Sequence, residues 1–199
     1  MGTILVVCLN PTFQRTMMFD TITEGEVNRC SHHRSDASGK GMNVARIITE
    51  AGGSSVQLTH LGGPRVREFL SLAHQDAVNI RWTQSDSPIR TCTTVLNRSN
   101  GTTTELIEEP CSVDSATDNK IRKLYHAMLP EVSTVVLTGT RAPGYTTSLY
   151  PDMVKEAKSA GKRVILDIKG EDLLQSLPFC PDIMKPNLSE FCATWFTDL

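Results

Sequence analysis

The sequence predicts an α/β fold, a parallel sheet flanked by helices with a small β lid beside it. Three observations predict it. Short apolar runs rich in Val, Ile and Leu alternate with longer stretches whose apolar residues recur at helical spacing. Thr3–Leu9 (TILVVCL) is apolar continuously rather than at every second position, the mark of a strand buried on both faces. Two polar, extended segments, 15–37 and 90–108, fall outside the alternation and are too hydrophilic for a central sheet.

The elements follow in order. Thr3–Leu9 (TILVVCL) is the first strand, stopped by Asn10-Pro11. Met42 to Ala51 sets Val44, Ile47, Ile48 and Ala51 on one helical face, and Gly52-Gly53 closes that helix. Val56–Leu61 is the second strand. Pro64 to about Ala77 is a second helix, with Val66, Phe69, Leu70 and Ala73 inward. Arg90–Arg98 and Thr102–Glu108 flank Asn100-Gly101, which predicts a hairpin closed by a type I′ turn. Asp114–Leu129 is helical, with Ile121, Leu124, Tyr125, Met128 and Leu129 inward. Ser133–Thr138 is a strand, Thr147–Ala160 a helix stopped by Gly161, and Arg163–Ile168 another strand. A short helix, a strand near Asp182–Met184 and a helical start at Leu188 complete the order. Segments 15–37 and 90–108 are expected to pair as a side sheet over one edge of the body.

At 199 residues the chain suits one domain, 1–199, and a globule of this size buries roughly 70% of its unfolded surface without a metal or disulfide staple. A net charge of −2 argues against a general nucleic-acid binder. The local cluster Arg29, His32, His33, Arg34 therefore reads as a solvated loop or strand edge. The longest apolar run, Ile4 to Leu9, is far too short to span a membrane. Six cysteines contain no CxxC pair and no metal-like spacing, which predicts free thiols in a reducing cytoplasm. Cys8, inside an apolar strand, reads as core.

In an open α/β sheet, ligands collect beyond the carboxyl ends of the strands. Four polar loops fall there: Asn10-Pro11, Thr138 to Gly144, Asp167, and Lys185 to Glu190. A fifth stretch, SGKGMN at 38–43, sits where a helix begins. Its glycines let backbone N–H groups approach a ligand, the helix directs its positive end at the same spot, and Lys40 adds a full charge. It reads as an oxyanion or sugar-hydroxyl cradle, or as a helix-entry turn with an exposed lysine. The sequence has neither GxxxxGK[ST] nor GxGxxG, which disfavours a nucleotide cradle here and a dinucleotide-binding fold.

Leu9-Asn10-Pro11, GKGMNVAR at 39–46, the Gly139…Gly144 loop, Asp167 and Lys185-Pro186-Asn187-x-x-Glu190 occur in the order and spacing of a known family. Along essentially its whole length the chain resembles the phosphofructokinase-B, or ribokinase-like, carbohydrate kinases. Its LNP opening is most similar to the subgroup of 1-phosphofructokinase and tagatose-6-phosphate kinase. The resemblance implies a ribokinase-like sheet with a β lid, and a kinase that moves the γ-phosphoryl of ATP, with Mg²⁺, to a hydroxyl of a sugar phosphate. It also implies a homodimer through the lid. By the same match Asn10, Gly39, Lys40, Gly41 and Asn43, with the Gly139 loop, contact the acceptor. Arg90 grips its existing phosphate, a task suited to the arginine fork. Asn187 and Glu190 organise Mg²⁺ and its waters near the ATP phosphates. Lys185 has either that role or a structural one, and a helix cap is the alternative for Asn187 and Glu190.

Three departures qualify the resemblance. The family's base is an aspartate in a GAGD motif, which this sequence lacks, so no catalytic residue is assigned and the ATP-binding segments around it are missing too. The chain stops shortly after KPNLSE, which predicts the N-terminal part of a kinase, shortened by truncation or frameshift. Gln14 stands where the subgroup carries an acid that accepts from sugar hydroxyls, and its amide offers one acceptor oxygen and two donors. In TGTRAPG, Arg141 reads as a second phosphate contact or as solvent-facing. Two functions stay open: a sugar-phosphate kinase completed by further residues, or a catalytically silent sugar-phosphate-binding or dimerising regulator.

Overall fold

The computed structural model describes residues 2–196. In chain order its strands are β1 (Thr3–Val7), β2 (Thr12–Phe19), β3 (His32–Ser38), β4 (Ser55–Gly62), β5 (Ile80–Ser85), β6 (Arg90–Asn97), β7 (Thr102–Ile107), β8 (Val132–Thr138), β9 (Arg163–Asp167) and β10 (Ile183–Met184). The helices are α1 (Lys40–Glu50), α2 (Val66–Gln75), α3 (Ser115–Met128), α4 (Leu149–Ser159), α5 (Gly170–Ser176) and α6 (Leu188–Trp195).

The apolar runs form the expected parallel sheet, in the order β10-β9-β8-β1-β4-β5. One of its faces carries Leu5, Val7, Leu58, Val135 and Leu137 against Tyr125 of α3 and Leu149 and Val154 of α4. On the other, Met42 and Ala45 of α1 and Phe69 and Ala73 of α2 pack with Phe13 and Leu61. Both faces are thus covered, the reason β1 is apolar almost throughout, while β4 buries Gln57, Thr59 and His60 beside its apolar residues. Ala51 ends α1 with Gly52 left-handed at φ 76°; Gly52 N–H donates to Thr49 and Gly53 N–H to Ile48, the two-bond closure expected of that Gly-Gly pair.

The sequence reading contains no element at β5. Only Ile80 and Trp82 of this edge strand are apolar, and neither is fully buried, so the signal is that of a half-solvated strand followed by Ser, Asp and Pro. The lid, order β3-β2-β6-β7, begins at Thr12 rather than 15, and residues 20–31 between its first two strands are irregular. Its central pair, β2 and β6, is parallel. The Asn100-Gly101 hairpin exists, but Asn97 pairs with Thr102 around a four-residue loop in which only Gly101 has positive φ. A type I′ turn requires both central residues there, so the predicted turn type is corrected. The Asn100 side chain instead accepts hydrogen bonds from the Thr102 N–H and hydroxyl. Arg29 and His32–Arg34 are exposed on the loop and on the edge strand β3. All six cysteines are free. Among the described residues no helix is long and apolar enough to cross a membrane.

Candidate active site

β1 lies between β4 and β8, and the chain builds outward from it in both directions. That reversal leaves a crevice at the strands' carboxyl ends. A cavity of about 190 Å³ occupies it. Cys8 and Asn10 follow β1, Gly39 and Lys40 open α1, and Arg90 begins β6. Gly139 and Thr140 follow β8, Asp167 to Lys169 end β9, and Glu190 comes from the first turn of α6. Of the residues assigned from the sequence, Asn10, Gly39, Lys40, Arg90, Gly139 and Glu190 meet here.

Charge inside the cavity is paired across its width. Lys40 Nζ donates to Glu190 Oε1 at 3.0 Å and stands 3.8 Å from Asp167 Oδ2, joining the start of α1 to the far end of the chain. Thr138 Oγ1 donates to Asp167 Oδ2 at 2.9 Å, and Lys185 Nζ lies 3.5 Å from Oδ1. Asn187 Oδ1 accepts from Glu190 N–H, and Glu190 Oε2 accepts from Asn187 N–H, a complete capping box. The Asn187 N–H, and after it Lys40, hold the Glu190 carboxyl below the usual carboxylate range. Asn10 Nδ2 donates to Thr140 Oγ1 at 3.1 Å. Arg90 gives one terminal N–H to the Glu108 carbonyl at 2.9 Å, while its Nε is buried with no partner among the described residues. A buried, unpaired donor on a cation is costly.

The remaining assigned residues lie outside the cavity. Gly41 is buried against Cys8. Asn43 is exposed, and its Oδ1 accepts from Arg46, which also pairs with Asp76. Gln14 sits on β2 with its Nε2 donating to Thr94 Oγ1 at 2.8 Å. Lys185 is largely exposed, and Asn187 serves as the α6 cap. Arg141 fits neither sequence alternative. Its Nε spans both oxygens of Asp172 at 3.0 and 3.1 Å, and a terminal N–H donates to the Tyr145 carbonyl. Burial pushes the Asp172 carboxyl up, against the opposing pull of Arg141.

Cys8, Ile168 and Lys169 line the cavity without having been named as site residues from the sequence, whereas Thr140 and Asp167 belong to the strand-end loops named there, without an individual role. Asp167 was legible as the polar terminus of the apolar run RVILD at a strand's carboxyl end, though its pairing with Lys40 and Thr138 was not. Cys8 was not legible as a lining residue, because its core burial and its place on the cavity floor look identical in one dimension. Burial raises the Cys8 thiol, and the N–H groups of Gly41 and Asn10 facing the sulfur oppose the rise.

A profile of the pfkB family carbohydrate kinases matches residues 6–199. The chain belongs to that family. Tagatose-6-phosphate kinase of Staphylococcus epidermidis is 27% identical over 189 residues, 94% of this chain and 60% of that protein. The tetrameric inhibited form of Escherichia coli phosphofructokinase-2 superposes with a TM-score of 0.85 at 24% identity, covering 98% of this chain and 64% of that one. The same enzyme in complex with fructose-6-phosphate gives a TM-score of 0.86 at 22% identity, covering 98% and 64%. The chain therefore spans a little under two thirds of the relatives it matches.

Mg²⁺, which the family reading implies, fits the donors present. Asp167 and Glu190 supply hard carboxylate oxygens held by Thr138 and Asn187. No group of three or more His, Cys, Asp or Glu able to hold a metal exists among the described residues. Two carboxylates suit Mg²⁺, which takes its remaining ligands from water and substrate phosphate.

Proposed function

We propose that the chain binds a sugar phosphate as the acceptor-side portion of an ATP-dependent carbohydrate kinase of the 1-phosphofructokinase and tagatose-6-phosphate kinase subgroup. The observation that carries this is Arg90, which lines a cavity with Lys40 and two carboxylates and whose Nε is buried without a partner among the described residues. Arg90 holds the phosphate the sugar already bears, and Asn10, Gly39 and Gly139 line the place for its hydroxyls. Gln14 lies two pairing steps beyond Thr12, which pairs with Arg90, so a sugar held by Arg90 extends along that lid face. Phosphoryl transfer is chiefly positioning and charge neutralisation. When bound at Asp167 and Glu190, Mg²⁺ supplies neutralisation of phosphate charge. The residues assigned here hold and orient the acceptor.

The alternative, a silent sugar-phosphate binder, draws support from the same cavity. Both carboxylates are engaged by lysines and the sequence lacks GAGD, so no base is assigned. Calorimetric titration with fructose 1-phosphate, tagatose 6-phosphate and fructose 6-phosphate tests the binding reading, and ADP release under the same conditions separates kinase from binder. Arg90→Ala should weaken the bound sugar phosphate at least tenfold, in keeping with about 1.5–3 kcal/mol for a hydrogen bond to a charged group. Unchanged affinity would refute the reading. We also read the open edge of β7, where Leu106 and Ile107 are at least half exposed, as the face of a homodimer through the lid. Sedimentation should show a dimer that Leu106→Asp dissociates.

A further inference from the structure

We propose that Lys40 is a shared counter-ion: without a divalent cation its ammonium neutralises Glu190 and Asp167, and a cation on those carboxylates releases it to the anion held by Arg90. The inference rests on the sugar-phosphate reading above and adds a coupling to it.

The two carboxylates keep their positions without the lysine. Glu190 is fixed by the Asn187 N–H and Asp167 by the Thr138 hydroxyl, neutral donors built into the cap of α6 and the end of β8. Their side chains are only 15% and 17% exposed, whereas that of Lys40 is 47% exposed. Of the three, the flexible partner is therefore the lysine. Its stem lies over Gly139, where an added Cβ would stand 3.5 Å from the Lys40 Cβ, so the stem has a surface along which to turn. On the anion side of the cavity Arg90 spends one terminal N–H on the Glu108 carbonyl and leaves its Nε buried without a partner among the described residues.

The signs follow from charge. A dication at Asp167 and Glu190 repels the ammonium that now sits 3.0 Å from one and 3.8 Å from the other. An anion beside Arg90 attracts it. Either ligand alone must overcome the lysine–carboxylate pairing, and the second to arrive does not. Coupling of this kind is reciprocal, so each ligand raises the affinity for the other by the same factor.

The test is calorimetric titration of tagatose 6-phosphate and, separately, inorganic phosphate, with and without Mg²⁺, supported by Mg²⁺ titrations with and without the anion. Wild type should bind the anion roughly tenfold more tightly with Mg²⁺, the size of a typical coupling. Glu190→Gln keeps a capping-box residue, so α6 should stay intact. It should bind the anion more tightly than wild type when Mg²⁺ is absent, and gain little when it is added. Lys40→Met should bind weakly in both conditions, with no Mg²⁺ effect. If Mg²⁺ instead simply bridges carboxylate to phosphate, Glu190→Gln will gain nothing without metal and Lys40→Met will keep its Mg²⁺ dependence. Either result overturns the proposal. Anion binding in wild type that ignores Mg²⁺ overturns this inference alone. No anion binding under any condition overturns the sugar-phosphate reading with it.

Discussion

A Cβ placed on Gly41 would stand 2.4 Å from the Cβ of Cys8. No pair of side-chain carbons tolerates that approach, so Gly41 is what lets α1 lie directly on β1. Gly41→Ala should lower stability by about 1–3 kcal/mol in urea unfolding, the usual cost of forced overpacking. Adding Cys8→Ala keeps the offending carbon and should give no rescue. Wild-type stability in Gly41→Ala would disprove the close contact.

Tyr145 and His60 form a buried polar pair, the phenol hydroxyl 2.8 Å from His60 Nδ1. Burial lowers His60 from 6.5 to about 4, so the folded protein keeps it neutral where the unfolded chain takes a proton. Stability should therefore be full above pH 6.5 and fall as the pH drops from 6.5 toward 4, by up to about 3 kcal/mol. His60→Phe should flatten that part of the pH profile measured by urea midpoints. An equally steep acid loss in the variant would assign it elsewhere.

Gln57 is fully buried on β4, and neither its side-chain amide nitrogen nor its oxygen has a partner among the described residues. Methionine is close in shape and leaves no polar group stranded. Gln57→Met should raise the thermal midpoint, with a gain of about 1–3 kcal/mol expected from removing the desolvation cost. A drop would show that the amide is satisfied in solution.

Arg141 and Asp172 hold the loop after β8 against α5. Arg141→Ala should cost about 2 kcal/mol of stability, since it strands a carboxylate whose side chain is 18% exposed. Affinity for sugar phosphates should change by less than about twofold, because a pair already made has no donor to spare at Nε. A tenfold loss of affinity would return Arg141 to the binding site.

Much of this was legible in one dimension because helices and buried strands announce themselves by period. TILVVCL and STVVLT could be little else, and the Gly-Gly after α1 marks its end by the left-handed residue it needs. The strand at Ile80–Ser85 was not legible, since an edge strand with one solvated face carries half the apolar signal. The cavity was legible as a set of loops at strand ends. Its wiring was not: the reach of Lys40 to Glu190, across 150 positions, is decided by how α1 and α6 converge, which no local pattern encodes. Asn43 and Arg141 illustrate the reverse case, polar residues in suggestive motifs whose nearest partners turn out to be Arg46 and Asp172.

Thr12 and Arg90 are neighbours in the lid although 78 residues separate them along the chain. Parallel pairing of β2 with β6 means that neither of the lid's two halves can template the other as it leaves the ribosome. The intervening α1, β4, α2 and β5 must first close a long loop, and that loss of chain freedom precedes any reward. Refolding should therefore be biphasic, the six-stranded body gaining protection from hydrogen exchange before the lid amides do.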